Sequence, residues 1–324
     1  MKVLELLNWS TNCLKDYHIE NPRLHAELLL AHSLSLSREG LYMNLQGQLK
    51  EGEKEALERL IQRRISGEPL QYILEHQEFW SMGLKVDNRV LIPRPETELL
   101  VEQSLLLLSG SRFKRTPFVL EIGTGSGAIA MAMAKERKNA FLVATDLSRG
   151  ALLLAKENAR SAGVQHQIEF VNGDLFEPFR VLKKKGPFDL ILSNPPYVNR
   201  HEIHSLAKEV KDYEPIMALD GGEDGLEFYR RIISQAPLYL RRGGWILLEV
   251  GQGQSLRVSK LMEEGGHFLN PECVPDLSGI ERVVKAQRKE KIRSTCLRVA
   301  PPPEALRRAG ASAKTGKIQK PVRA

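Results

Sequence analysis

The chain has 324 residues, 42% of them hydrophobic and 27% charged, with three cysteines and a formal net charge of +7. These are ordinary globular proportions for a chain long enough to hold two domains, and they exclude a wholly disordered, collagen-like or fibrous protein. The cysteines, Cys13, Cys273 and Cys296, are scattered and form no CxxC, which argues against a disulfide framework or a structural zinc and fits a reducing compartment. The N-terminus lacks the apolar core of a signal peptide, and no apolar run approaches the ~20 residues of a membrane span, so the expectation is a cytoplasmic protein with no membrane partner.

The charge is unevenly placed. Residues 287–324 carry 11 Lys/Arg against 2 Asp/Glu, leaving 36 basic and 38 acidic residues in the rest of the chain. The basicity therefore belongs to the tail, whose prolines and scarcity of large apolar residues predict disorder. A weak contact with RNA or ribosomes is open to it. The body, at a net −2, does not suggest a specific nucleic-acid partner.

In chain order, residues 1–75 read as helices and form the first domain. Asn21-Pro22 reads as an N-cap with proline at the first helical position, followed by an apolar stripe of Leu24, Leu28, Leu29 and Leu30. A later helix near Glu53–Ile65 places Leu57, Leu60, Ile61 and Ile65 on one face, and Gly67 and Pro69 end it. No catalytic constellation appears here, so this bundle reads as a substrate-recognition unit. Residues 76–95 read as a β-hairpin linker with Asp87-Asn88 at its turn. A helix then starts near Thr97, with Glu96 and Glu98 suited to its N-terminus.

From Phe118 short apolar runs alternate with helical stretches. FVLEI, FLVAT, IEFV, DLILS and WILLEV alternate with AIAMAMAKE and RGALLLAKENARSA. This is an α/β pattern, a parallel sheet with helices on both faces, assigned to residues 96–286. The run Lys183–Lys185 reads as a solvated loop. The eight histidines show no ligand spacing, and no metal is expected.

The first βα turn reads Glu121-Ile122-Gly123-Thr124-Gly125-Ser126-Gly127-Ala128. Glycines here let backbone approach a ligand at the carboxyl edge of the first strand. Asp146 ends the second strand, 23 residues after Gly123, where a carboxylate can accept from both ribose hydroxyls. Gly123, Gly125 and Ala128 also satisfy the dinucleotide pattern, so this pair alone leaves a nicotinamide enzyme open.

Asn194-Pro195-Pro196-Tyr197 follows the strand DLILS. It resembles the (D/N/S)-P-P-(Y/F) motif of class I S-adenosylmethionine-dependent methyltransferases that act on planar NH2 groups. Such a nitrogen is a poor nucleophile because its lone pair is delocalised. The Asn194 side-chain oxygen and the Pro195 carbonyl can each accept one of its N–H bonds, and Tyr197 can pack on the planar group. The rigid proline ring holds its carbonyl in place.

Five further segments resemble one family in order: GEPLQYI at 67–73, EFWSMGLKV at 78–86, LIPRPETE at 91–98, YEPIMALDGGEDGLEFYRRI at 213–232 and SGIERVV at 278–284. That family is the release factor glutamine methyltransferases, and the resemblance runs from about residue 3 to about 286. It implies a Rossmann-like methyltransferase domain behind a helical domain and a hairpin. It also implies transfer of a methyl group from S-adenosylmethionine to the glutamine of the Gly-Gly-Gln motif in peptide-chain release factors. The cofactor would lie on Glu121, Gly123, Thr124, Gly125, Ser126, Gly127, Asp146 and Asn194, with Asp174 and Leu175 near the adenine. Leu175 departs from members that carry an aromatic residue there. Asn194, Pro195 and Tyr197 would carry the catalytic step, and Pro196, Leu91 and Arg94 would join them in holding substrate. Two readings of Arg94 stay open, a surface residue or one that orients the substrate loop. The alternative reaction is N-methylation of an exocyclic amino group of adenine or guanine in DNA or RNA. A third reading, a catalytically inactive binding protein, is disfavoured by the intact Asn194 and glycine loop.

Overall fold

The computed structural model describes residues 1–109, 116–182 and 187–290. Lys183–Lys185, Cys296 and the basic tail from Lys291 onward lie outside the described residues. Twelve α-helices and nine strands are described. The N-terminal helices are α1 (Val3–Asp16), α2 (Pro22–Ser33), α3 (Arg38–Met43), α4 (Glu53–Ile65) and α5 (Leu70–Leu74). Leu6, Leu7, Leu29, Leu30, Leu57 and Ile61 meet in one buried cluster, while Leu28, Leu60 and Ile65 pack at its edge. Leu24 of the expected stripe is exposed instead. Pro22 does open α2. Asn21, however, sits in the left-handed region at φ 50° and makes no side-chain cap, so the rigid proline is the start signal that remains.

The hairpin pairs β1 (Gln77–Phe79) with β2 (Met82–Leu84). Its turn is Trp80-Ser81, not Asp87-Asn88. Both turn residues have positive φ, 51° and 52°, the backbone twist that suits a two-residue hairpin. Tertiary bonds hold Trp80 there: its N–H donates to Glu98 Oε1 at 2.7 Å and its indole Nε1 to Glu136 Oε1 at 3.0 Å. Asp87 instead folds back on Arg89, accepting from its N–H and its guanidinium. Beyond the hairpin, Val86, Val90 and Ile92 pack with Tyr72, Ala151 and Leu154. Glu98 opens α6 (Glu98–Leu108) without capping it, and Glu96 lies 3.8 Å from Arg282.

Seven strands form the main sheet, in the order β5-β4-β3-β6-β7-β9-β8. The strands are β3 (Phe118–Ile122), β4 (Phe141–Asp146), β5 (Ile168–Asn172), β6 (Phe188–Ser193), β7 (Leu240–Glu249), β8 (Phe268–Pro275) and β9 (Glu281–Arg288). The first five in that order are parallel, and β9 is antiparallel to both β7 and β8. The remaining helices are α7 (Ala128–Glu136), α8 (Arg149–Ser161), α9 (Glu177–Leu182), α10 (Lys208–Lys211), α11 (Glu227–Tyr239) and α12 (Ser255–Glu264). Side chains of β3 alternate faces: Val119 packs under α6 and α7, and Leu120 joins the core holding α11 and α12. Burial on both faces is why these strands read as unbroken apolar runs. The closing pair β8–β9 is absent from the strand pattern of the sequence. Pro271 and Pro275 punctuate β8, which is tolerable because β8 is an edge strand.

Met1–Lys289 forms one compact unit. No described helix is long and apolar enough to cross a membrane. The strand order reverses at β3: the chain runs outward from β3 through β4 to β5, then crosses back to add β6 on the other side of β3. Ligands of open α/β sheets bind outside the carboxyl strand ends at such a point.

Candidate active site

A cavity of about 350 Å³ opens at that point, within the size range of small-molecule sites. The glycine loop, the ends of β4 and β6, the segment after β5 and the strap from Arg89 to Thr97 line it. Gly123, Gly125 and Gly127 have φ of +74°, +55° and +86°, values that carry little steric cost only for glycine. A β-carbon on Gly125 would meet nothing within 4 Å, so the demand there is on backbone conformation. Gly127 plays a different part. A β-carbon there would lie 3.1 Å from that of Ala155; this glycine lets α7 approach α8, and it does not line the cavity.

Asp146 is already oriented. Its Oδ2 accepts from Gly125 N–H and its Oδ1 from Ser148 N–H, each at 2.8 Å. Burial raises its pKa, and these N–H bonds pull the other way. A carboxylate oxygen has a second lone pair, so both oxygens keep capacity for a ligand hydroxyl. Glu121 lies beneath the loop, fully buried, with Oε2 accepting from the Thr124 hydroxyl at 2.8 Å. Burial pushes its carboxyl up to about 8.

After β5, Asp174 pairs with Arg231, and Leu175 adopts φ 48° while remaining buried. Both line the cavity with Phe228. Leu175 therefore offers an apolar wall where a planar ring could lie.

Asn194, Pro195 and Pro196 line the cavity from the β6 side. Asn194 Nδ2 donates to the hydroxyl of Thr97 at 3.1 Å. Leu91 and Arg94 line the opposite strap. Arg94 is no free surface residue: its Nη2 meets both oxygens of buried Glu214 at 2.6 and 2.8 Å. This ties the strap to the segment following α10. Tyr197 does not line the cavity. Its ring packs against the core holding α11, its carbonyl accepts from Gln254 Nε2 at 2.9 Å, and burial pushes its hydroxyl up to about 12. The structure thus brings together every expected site residue except Glu121, Gly127 and Tyr197, which stand behind the wall.

Two residues beside Asn194 went unread in the sequence. Thr97 was visible only as a helix start, although it lies within LIPRPETE. Glu249 was visible as the lone carboxylate in the apolar run WILLEV, a signal that gains meaning only when β7 is known to adjoin β6. His201 pairs with exposed Glu223 at 2.9 Å. Among the described residues no cluster of three or more His, Cys, Asp or Glu is placed to hold a metal ion.

Comparison with known proteins agrees with this geometry. Residues 5–74 match the family model "PrmC N-terminal domain", and residues 99–211 match "Methyltransferase small domain". The chain is 42% identical over 282 residues to the release factor glutamine methyltransferase of Geobacter sulfurreducens, covering 87% of this chain and 95% of that one. It is 38% identical over 275 residues to the enzyme of that name from Bradyrhizobium diazoefficiens, covering 85% and 91%. The solved hMettl16 catalytic domain shares the fold at a TM-score of 0.52 and 16% identity, covering 75% of this chain and 84% of that one. Two-domain coverage at this identity establishes that the chain belongs to the release factor glutamine methyltransferase family.

Proposed function

We propose that this protein transfers a methyl group from S-adenosylmethionine to the side-chain amide nitrogen of the glutamine in the Gly-Gly-Gln motif of peptide-chain release factors. The observation that carries the reading is a shared wall: Asn194-Pro195-Pro196 and the Gly123–Ser126 loop with Asp146 line one cavity. One part suits a nucleoside and the other a planar amide.

The cavity's residues fit the cofactor. Asp146 has the lone pairs for two ribose hydroxyls, the glycine backbone admits close approach, and Leu175 and Phe228 supply apolar surface. The bound cofactor supplies an electrophilic methyl on a sulfonium. The chain's own residues supply the rest. The Asn194 oxygen and the Pro195 carbonyl accept the two N–H bonds of the glutamine amide and aim its nitrogen. Their preset dipoles favour the positive charge that develops there. No strong base is needed, because the amide proton becomes acidic as the new bond forms and can pass to water. Arg94, braced by Glu214, holds the strap that faces this position.

The test is mass spectrometry of purified release factor after incubation with the protein and S-adenosylmethionine. The expected result is one methyl group on the Gly-Gly-Gln glutamine. Methyl incorporation at another residue, or only into nucleic acid offered in parallel, would overturn the reading.

A further inference from the structure

The turn that carries Asn194 and the Pro195 carbonyl cannot hold itself. Asn194 leaves β6 directly after Ser193, which is fixed by its pairing with Ile122 and Leu248 and by its hydroxyl, a donor to the Ile122 carbonyl at 2.7 Å. Pro195 and Pro196 follow, and neither has an N–H to donate. The next anchor is therefore Tyr197-Val198. Val198 N–H donates to the Leu219 carbonyl at 3.0 Å, and the Val198 carbonyl accepts from Gly221 N–H at 2.8 Å. Tyr197 has a different partner. Its carbonyl accepts from Gln254 Nε2 at 2.9 Å, while Gln254 Oε1 accepts from Gly251 N–H at 3.1 Å. Gly251 follows β7, the strand beside β6. Gln254 stands at the N-cap position of α12, yet its side chain makes no cap bond there; its amide is committed to the turn instead.

Both partners of Gln254 are backbone groups with fixed roles: a carbonyl only accepts and an N–H only donates. The amide is therefore oriented one way, with its nitrogen to Tyr197 and its oxygen to Gly251. Glycines let the neighbouring chain come this close. A β-carbon on Gly221 would lie 2.8 Å from the carbonyl carbon of Tyr197, and one on Gly225 would lie 2.5 Å from the Tyr197 oxygen and 2.7 Å from Gln254 Nε2. Residues 219–225 thus lie directly on the backbone of Tyr197. We infer that Gln254 is a positioning residue for methyl transfer: together with this glycine-rich loop it clamps the Tyr197 carbonyl and, through two rigid prolines, fixes the direction of the Pro195 carbonyl proposed to accept from the substrate nitrogen. Neither Gln254 nor Gly221 lines the cavity, so the clamp acts on geometry and not by ligand contact. The inference rests on the proposed function for its substrate, but the clamp itself is a property of the free protein.

The experiment uses the full chain at about pH 8, where a new carboxyl is ionised and can only accept. Gln254→Glu keeps the shape and the acceptor for Gly251 but removes the N–H that Tyr197 requires. Gly221→Ala presses on the same backbone without touching Gln254. In either variant kcat on release factor should fall about tenfold or more, with KM and cofactor Kd within about twofold of the parent. Parental kcat in Gln254→Glu, or a loss confined to KM or Kd, would overturn the inference. Backbone hydrogen exchange in the cofactor-free protein gives a second readout that needs no activity. The Val198 and Gly221 amides should exchange about tenfold faster or more in Gln254→Glu than in the parent, while the amides of β3 keep their parental rates. Unchanged exchange at Val198 and Gly221 would overturn the inference. So would a rise that extends to β3, which would assign Gln254 to the stability of the whole fold. A parent that leaves release factor unmethylated, with faster exchange in the variant confined to Val198 and Gly221, would refute the proposed reaction and uphold the clamp.

Discussion

Replacing Asn194 by alanine perturbs two things at once, and the structure separates them. It removes the oxygen proposed to accept from the substrate nitrogen. It also removes the N–H that donates to the Thr97 hydroxyl at 3.1 Å. The first loss acts on the transition state. By analogy with deleting one oxyanion-hole group, kcat should fall by roughly 10²–10³, about 2.7–4 kcal/mol. The second loss acts on the fold. Removing the partner of a buried polar group costs about 1–3 kcal/mol. For a domain of this size that corresponds to a melting temperature lower by about 2–4 °C per kcal/mol. Single-turnover transfer of radiolabelled methyl to release factor reads the first effect, and calorimetric melting reads the second. Cofactor affinity, measured by titration calorimetry, should change less than turnover, because the Asp146 and glycine-loop contacts are untouched. Transfer at the parental rate would refute the two-acceptor geometry. Asn194→Asp makes a useful contrast, since it sets a second carboxylate beside Glu249 in a buried space. Two such groups share a proton, which raises the pKa of the pair. Stability of that variant should be greatest at low pH and should be lost as pH rises through the raised pKa.

Asp146→Ala should weaken S-adenosylmethionine binding by about 1–3 kcal/mol, roughly 5- to 150-fold in Kd. The variant also leaves the N–H groups of Gly125 and Ser148 without their acceptor; unchanged affinity by calorimetry would remove Asp146 from the site. Glu121 makes stability pH-dependent in a definite sense. Its folded pKa, about 8, lies above that of an ordinary carboxyl, so the folded chain holds a proton that the unfolded chain releases. Its favourable share is therefore intact below about pH 4.5 and is lost as pH rises through about 8. Over the intervening range, Glu121→Gln should show a flatter decline in melting temperature than the parent, and parallel curves for the two proteins would count against the buried acid.

The elements that sequence reading located were those set by local physics. Apolar runs became strands because both faces of β3, β4 and β6 are covered. The glycine loop was legible because its positive φ values demand glycine, and Asn194-Pro195-Pro196 because proline rigidity leaves a chemical imprint. The hairpin turn was placed on Asp87-Asn88 because those residues tolerate turns. The real turn holds Trp80 and Ser81 at positive φ through bonds from Glu98 and Glu136, partners far along the chain. Strand β8 escaped notice because an edge strand accepts prolines and polar residues that would break a central one.

At the site, the sequence by itself determined which groups carry chemistry: a carboxylate at the end of β4, glycines after β3 and an amide after β6. Tertiary structure alone decided which of them face the cavity. It put Tyr197 and Gly127 behind the wall and bound Arg94 to Glu214. It also set Asn194 against Thr97 from the start of α6. The physical reason is strand order. Chemical character resides in each residue and can be read from the chain, whereas the orientation of an amide depends on which neighbours accept from its nitrogen. Those neighbours arrive only when α6 packs beside the sheet and β7 pairs with β6.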